Sequence, residues 1–391
     1  MSLPREAAAA LGLAATLFFA GAGAAWAQPV PEAGASGGEA GASGGEADPP
    51  ADPAADPEVV AALRRAYEAL LPAVVRVEAL GGLPPGHRAP RDRAGARGGV
   101  LVRAGFKQAN GPSTGLVVSA DGLVATSTFV LRRRPEHLFV TLRDGRTFLA
   151  RLVGRDEAHG VALLRVPAQG LPAPRFAESA GLLPGRFAFA LGLGLGTKAP
   201  TLSLGIVSGL RRIGGRALQT SAHVSPANYG GPLAALDGSV LGLLVPLGPR
   251  GEDAAVELYD SGIGFAVPAP RLKAIVARLR TGTPEEVVVL RRGFAGLALD
   301  PKHRGPNPRI AGVLPGSPAA KAGLSPGEFV RSVDGRPTAH AWQVRHALAR
   351  RYRGDRVVLE VEGAVGRRSV ELVLGAPPAE ASGAPGAAGV D

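Results

Sequence analysis

The sequence predicts a mostly β protein: two closed antiparallel barrels followed by a smaller module that mixes strands with helices. Three observations carry this. From Ala73 to about Val267, short alternating apolar runs recur between Asp-Gly pairs, the signature of hairpins that close into barrels. An amphipathic stretch, "APRLKAIVARLRTG", then reads as a terminating helix. Beyond it, runs of strand pattern are interrupted by two helical segments. At 391 residues the chain has room for two or three domains, each able to bury its own core.

Taken in order, residues 1–27 read as a secretory signal. Arg5 precedes an apolar run from Ala7 to about Gly23, and Ala25-Trp26-Ala27 is a small-x-small cleavage pattern, so the mature chain is expected to start at Gln28. An uncleaved anchor is the alternative, and no later segment reads as transmembrane. Residues 28–58 repeat "AGASGGE" and continue as "DPPADPAADP", too poor in apolar groups to offset the entropy of ordering, which predicts a flexible tether.

"PEVVAALRRAYEALL" spaces Val60, Leu63, Tyr67, Leu70 and Leu71 for one face of a helix, with Asp56 as N-cap and Pro57 in the first turn. The double-barrel region spans 59–281. In the closing helix the apolar positions are Leu272, Ile275, Val276 and Leu279, with Gly282 as the stop. The last module, 284–375, sets strands such as "RVVLEVEG" beside the helices "SPAAKAG" and "AWQVRHALARR"; the tail 376–391 again lacks large apolar groups.

With no cysteine, disulfides, thiolate catalysis, Cys metal sites and N-terminal lipidation through cysteine are excluded. The seven histidines show no metal-ligand spacing, and no cofactor motif is present. The net charge is +11, and because residues 28–58 hold seven acids and no base, the chain from Val59 onward carries +18. Its basic residues are mostly arginine, scattered and without interleaved aromatics, which argues against a nucleic-acid partner.

Several ordered motifs resemble the HtrA/Deg serine proteases. "GLVVSADGLVATSTFVL" and "LVGRDEAHGVALLRV" are similar to the family segments that deliver the catalytic histidine and aspartate. "GIVSGL", "PANYGGPLAALDGSVLGL" and "GIGFAVP" match the second barrel. "FAGL" and "VLPGSPAAKAGLSPGEFVRSVDGRP" resemble the carboxylate loop and central stretch of a PDZ domain. The resemblance, from about Leu71 to Leu374, implies a chymotrypsin-like double β-barrel followed by an α/β PDZ domain.

Carried over residue by residue, the histidine position is Phe129, the aspartate position Gly160 and the serine position Tyr229, while Ala227 replaces the glycine whose N–H serves the oxyanion. Triad chemistry needs a nucleophile, a base and an orienting carboxylate. A phenol of pKa about 10 needs a base, and Phe129 has no lone pair. Nearby groups that could relocate a site are His159, His223, Ser221, Ser225 and Ser127. A one-residue offset on a strand would turn His159 away from the place Gly160 faces.

The PDZ resemblance implies that a peptide C-terminus adds as a strand beside "GLAL", its carboxylate meeting N–H groups of the Ala295, Gly296 and Leu297 turn in the loop that begins at Phe294, with Leu297, Leu299, Val344 and Leu348 walling the groove. Three readings stand. One is a periplasmic or secreted pseudoprotease that binds peptides or protein C-termini, as a homotrimer or with active relatives. The second is an active endopeptidase with a non-standard site. The third is a polyanion binder exploiting the +18 charge.

Overall fold

The computed structural model describes residues 56–82, 112–178, 181–194, 200–247, 262–283, 285–364 and 366–377. The signal, nearly all of the tether, His87 and most of the tail lie outside the described residues.

Helix α1 (Pro57–Leu70) starts as its sequence dictates: the Asp56 carboxylate accepts the Glu58 N–H at 2.9 Å and Pro57 occupies the first turn. Ala66 and Leu70 bury its apolar face in the main core. The first barrel comprises β1 (Val74–Leu80), β2 (Ser113–Ser119), β3 (Leu123–Ser127), β4 (His137–Thr141), β5 (Thr147–Asp156) and β6 (Val161–Arg165). Their order is β5-β4-β1-β2-β3-β6, and pairing of β5 with β6 closes the ring.

The second barrel is β7 (Phe187–Gly192), β8 (Thr201–Arg211), β9 (Ala217–Thr220), β10 (Pro232–Ala235), β11 (Val240–Leu244) and β12 (Gly264–Pro268), with a one-turn α2 (Arg212–Gly215) between β8 and β9. Strand alternation explains how the barrels meet. Along β7, Ala188 and Ala190 fill the narrow interior of the second barrel, while Phe189 and Leu191 point outward into the core shared with the first.

Helix α3 (Ala269–Leu279) buries Leu272, Ile275 and Leu279 against that shared core. The next strand, β13 (Val288–Leu290), was not anticipated by the sequence reading: it pairs in parallel with Gly154 to Asp156 of β5, so the linker is stitched into the first barrel's sheet. The last module holds β14 (Leu297–Leu299), β15 (Ile310–Val313), α4 (Pro318–Lys321), β16 (Phe329–Val333), β17 (Arg336–Pro337), α5 (Ala341–Ala349), β18 (Arg356–Gly363) and β19 (Gly366–Val373). It has its own core, with Val330, Val344, Val357, Leu359 and Val361 fully buried. Among the described residues no helix is long and apolar enough to cross a membrane.

Candidate functional site

The turn before β10 lies at the seam of the barrels because β2 holds it there. Ser113 Oγ and Thr114 N donate to the Tyr229 carbonyl at 2.7 and 3.2 Å, and Thr114 Oγ1 donates to the Ala227 carbonyl at 2.6 Å. Gly230 sits at φ +86°, and a Cβ there would lie 2.2 Å from the Thr114 carbonyl oxygen, so only glycine fits. The Asn228 N–H is turned to Ser225 O at 2.9 Å and the Gly230 N–H to Leu244 O at 2.8 Å.

Phe129 enters from the 3-10 helix Thr128–Leu131, which follows β3 and is capped by Ser127 Oγ. Its ring meets Tyr229 edge to face, centroids 5.5 Å apart at 68°, with the Arg132 guanidinium 4.9 Å from the Phe129 ring centroid. The Thr128 N–H donates to the Gly160 carbonyl at 2.8 Å. The three positions that the sequence comparison assigned to a triad are therefore neighbours in space.

What fills them is apolar. Tyr229 is 7% exposed. The space left beside it, walled by Val224, Val245, Pro246, Leu247, Ile263, Gly264 and Phe265, is about 10 Å³. That is the lower limit for one water and far below the roughly 300–1,000 Å³ of a ligand site.

Two family models match the chain: a trypsin-like peptidase domain over residues 113–243 and a PDZ domain over residues 309–363. The chain is 29% identical over 300 residues to a probable periplasmic serine endoprotease, DegP-like, of Hahella chejuensis, covering 72% of this chain and 60% of that one. It is 32% identical over 251 residues to the putative serine protease HhoA of Synechocystis sp., covering 58% and 61%. Among solved structures it resembles the HtrA-type protease AlgW with tripeptide, at TM-score 0.59 and 22% identity, covering 81% of this chain and 98% of that one. The serine endoprotease from Yersinia pestis gives TM-score 0.55 at 23% identity, covering 80% and 97%.

The chain belongs to the HtrA family. It spans 60 and 61% of the length of these two curated relatives.

In this HtrA chain the serine candidates for a relocated site are hydrogen-bonded to near neighbours. Ser225 Oγ donates to Asn228 Oδ1 at 3.0 Å, Ser221 Oγ accepts the Ile206 N–H at 3.1 Å, Ser127 caps Phe129, and the His223 N–H donates to Ser203 Oγ at 2.8 Å. His340 caps α5, and His303 and His346 stack on Phe329 and Trp342. No group of His, Asp and Glu suited to a metal occurs among the described residues.

His159 is where sequence reasoning missed most. It sits in the turn between β5 and β6 rather than on a strand, and neither it nor Asp156 has exposed surface. Asp156 Oδ1 accepts the N–H groups of Ala158 and His159 at 2.8 and 3.0 Å. Its Oδ2 meets His159 Nδ1 at 2.8 Å and accepts the hydroxyl of Tyr352 from the PDZ domain. Arg271 of α3 donates Nε–H to His159 Nε2 at 3.2 Å. Arginine can only donate, so His159 is neutral with its proton on Nδ1. Burial, followed by the Asp156 contact that opposes it, leaves the imidazole below its ordinary pKa; burial and the negative Asp156 push the Tyr352 phenol up. Arg216, donating to Ala158 O at 2.6 Å, is drawn down to about 10, chiefly by burial.

Where the resemblance places the carboxylate loop, the chain turns tightly. Gly296 is at φ +77°, where a Cβ would lie 2.1 Å from Ser317 Cβ. The carbonyls of Ala295 and Gly296 are tied inward by Ala319 N and Leu314 N, both at 2.9 Å. Leu297, Leu299 and Leu348 are half-buried beside the core. Val344, expected as a groove wall, is wholly buried in the core of the last module, and Phe294 borders a hollow of about 640 Å³ with Ser317, Pro318 and Leu374.

Proposed function

We propose that this HtrA-family chain does not hydrolyse peptides and acts in the cell envelope as a peptide-binding pseudoprotease. The observation that carries the reading is the Phe129–Tyr229 pair: two aromatic rings meet edge to face where the resemblance places the histidine and the serine of a triad, and neither residue type supplies an imidazole base or a serine hydroxyl. Gly160, at φ +70°, supplies no carboxylate, and Ala227 stands where an oxyanion glycine is expected. The PDZ groove is then the working site. It would take a peptide or protein C-terminus, the carboxylate on the Phe294–Leu297 loop and apolar side chains on Leu297, Leu299 and Leu348. The periplasmic DegP-like relative and the sequence of residues 1–27 support an exported protein, and assembly with itself or with active relatives follows from the same likeness.

The test is casein cleavage and labelling by a serine-reactive fluorophosphonate, using the chain from Gln28 onward. Neither is expected. Cleavage by the native chain, or a labelled serine, overturns the proposal. A Phe129→His, Gly160→Asp, Tyr229→Ser variant asks whether the scaffold can be returned to catalysis; fluorescence polarisation with peptides bearing free or amidated C-termini asks whether the groove reads a carboxylate.

A further inference from the structure

The second cluster of ionisable groups in this chain lies where the PDZ domain meets the barrels, and it forms a plug and socket. Tyr352, in the loop between α5 and β18, is 3% exposed. Its ring lies between the guanidinium groups of Arg271 and Arg278, 5.0 and 4.9 Å from the centroid. Those arginines are seven residues apart on α3, two helical turns, so one helix face supplies both. Its hydroxyl reaches the Asp156 carboxylate, and its ring stands 5.9 Å from the His159 ring. Arg271 also donates to the Arg350 carbonyl at 2.5 Å, and Arg278 pairs at 3.1 Å with the Asp355 carboxylate, which itself accepts the Tyr352 N–H at 2.9 Å, so the side chains that form the socket also hold the loop around the plug. The helix that ends just before this loop is also seated on a barrel: a Cβ at Gly214 would lie 3.4 Å from Ala349 Cβ.

We propose that His159 and Tyr352 form an acid-operated latch: the PDZ domain is fixed on the barrels while His159 is neutral and is released when Nε2 takes a proton. The groups facing His159 come from every element around it: Asp156 at the end of β5, Arg216 after α2, Arg271 on α3 and Tyr352 from the PDZ loop. Arg292 on the linker adds a further positive charge toward Arg216. Three of these five groups are cations.

Protonation puts a new N–H opposite the Arg271 N–H at 3.2 Å, two donors and two positive charges with no acceptor between them. Arg271 has to leave, and it is one of the two arginines on the Tyr352 ring and the one that ties down the Arg350 carbonyl. Burial already opposes charging His159, which places the change below pH 6.5, the ordinary histidine value. Stability of the seated state is full above that value and is lost as pH falls toward the depressed one, by up to tenfold in the released-to-seated ratio per pH unit for one proton. The latch operates whether or not the groove binds peptide.

The chain has no cysteine, so dyes can be placed at two introduced ones. Gly145→Cys at the β4–β5 hairpin tip and Gly335→Cys at the β16–β17 tip have open space around them. Energy transfer between the sites is read from pH 8 to pH 4.5, with far-UV circular dichroism on the same samples. Transfer is expected to change cooperatively below pH 6.5 while the dichroism stays constant. His159→Gln holds one transfer efficiency throughout. Tyr352→Phe leaves the Asp156 carboxylate freer to stabilise a charged imidazole, so it moves the midpoint to higher pH. His346→Gln, at the same seam, leaves the midpoint where it was. A flat wild-type signal, a loss of dichroism in step with transfer, or an unchanged midpoint in His159→Gln or Tyr352→Phe overturns the proposal.

Discussion

Tyr229→Ser places a serine where the resemblance puts a nucleophile, and the packing says what this costs. Tyr229 is 7% exposed and its ring meets Phe129 with centroids 5.5 Å apart. Truncating a buried aromatic costs about 3–5 kcal/mol through lost transfer energy and the cavity left behind. Phe129 is only half-buried, so water can enter part of the vacated volume and lower the loss to about 2–4 kcal/mol. For a domain of this size, with about 2–4 °C per kcal/mol, the barrel transition should fall by roughly 4–16 °C. Scanning calorimetry reads this directly. Phe129→Ala and the double variant complete a cycle, whose coupling should be about 0.5–1.5 kcal/mol for an edge-to-face pair. A loss under about 0.5 kcal/mol for Tyr229→Ser, or no coupling, would refute the claim that these rings hold the seam together.

Three further outcomes are expected. Urea midpoints should be flat above pH 6.5 and fall below it, because the folded state resists charging His159 and the unfolded state does not; His159→Gln should flatten part of that slope. Gly230→Ala should fail to give soluble protein, since its Cβ would meet the Thr114 carbonyl at 2.2 Å, whereas Gly145→Ala, also at positive φ but in open space, should cost only about 1 kcal/mol by thermal melting. In the PDZ domain, Gly296→Val should abolish capture of a free peptide C-terminus in polarisation assays, because Ser317 already fills the space a side chain needs.

The barrels were legible because their signals are local. Asp-Gly pairs mark the turns at Gly122, Gly145 and Gly238, all at positive φ, and alternating runs mark the strands between. Asp56 and Pro57 marked the start of α1 for the same reason. The motifs around Phe129, Gly160 and Tyr229 singled these residues out, and in the structure Phe129 meets Tyr229 while its neighbour Thr128 bonds the Gly160 carbonyl. The His159 cluster was not legible. Its members, Asp156, Arg271 and Tyr352, come from three separate regions of the chain, and no periodicity or spacing connects them. Strand alternation also misled there, since the residue lies in a turn. The β13 run of three residues is too short to alternate, and its partner is a strand more than a hundred residues earlier.

That last pairing sets an order of events during synthesis. The first barrel can close its own ring once β6 has emerged, yet the flank of β5 from Gly154 to Asp156 receives its partner only when β13 is made. At about 5–20 residues per second, the ribosome takes roughly 6–25 s to add the intervening chain. During that interval the nascent barrel carries an unpaired edge, the kind that seeks another strand. A holdase that shields this edge until the linker arrives should therefore raise the yield of folded chain more than one that acts after synthesis ends.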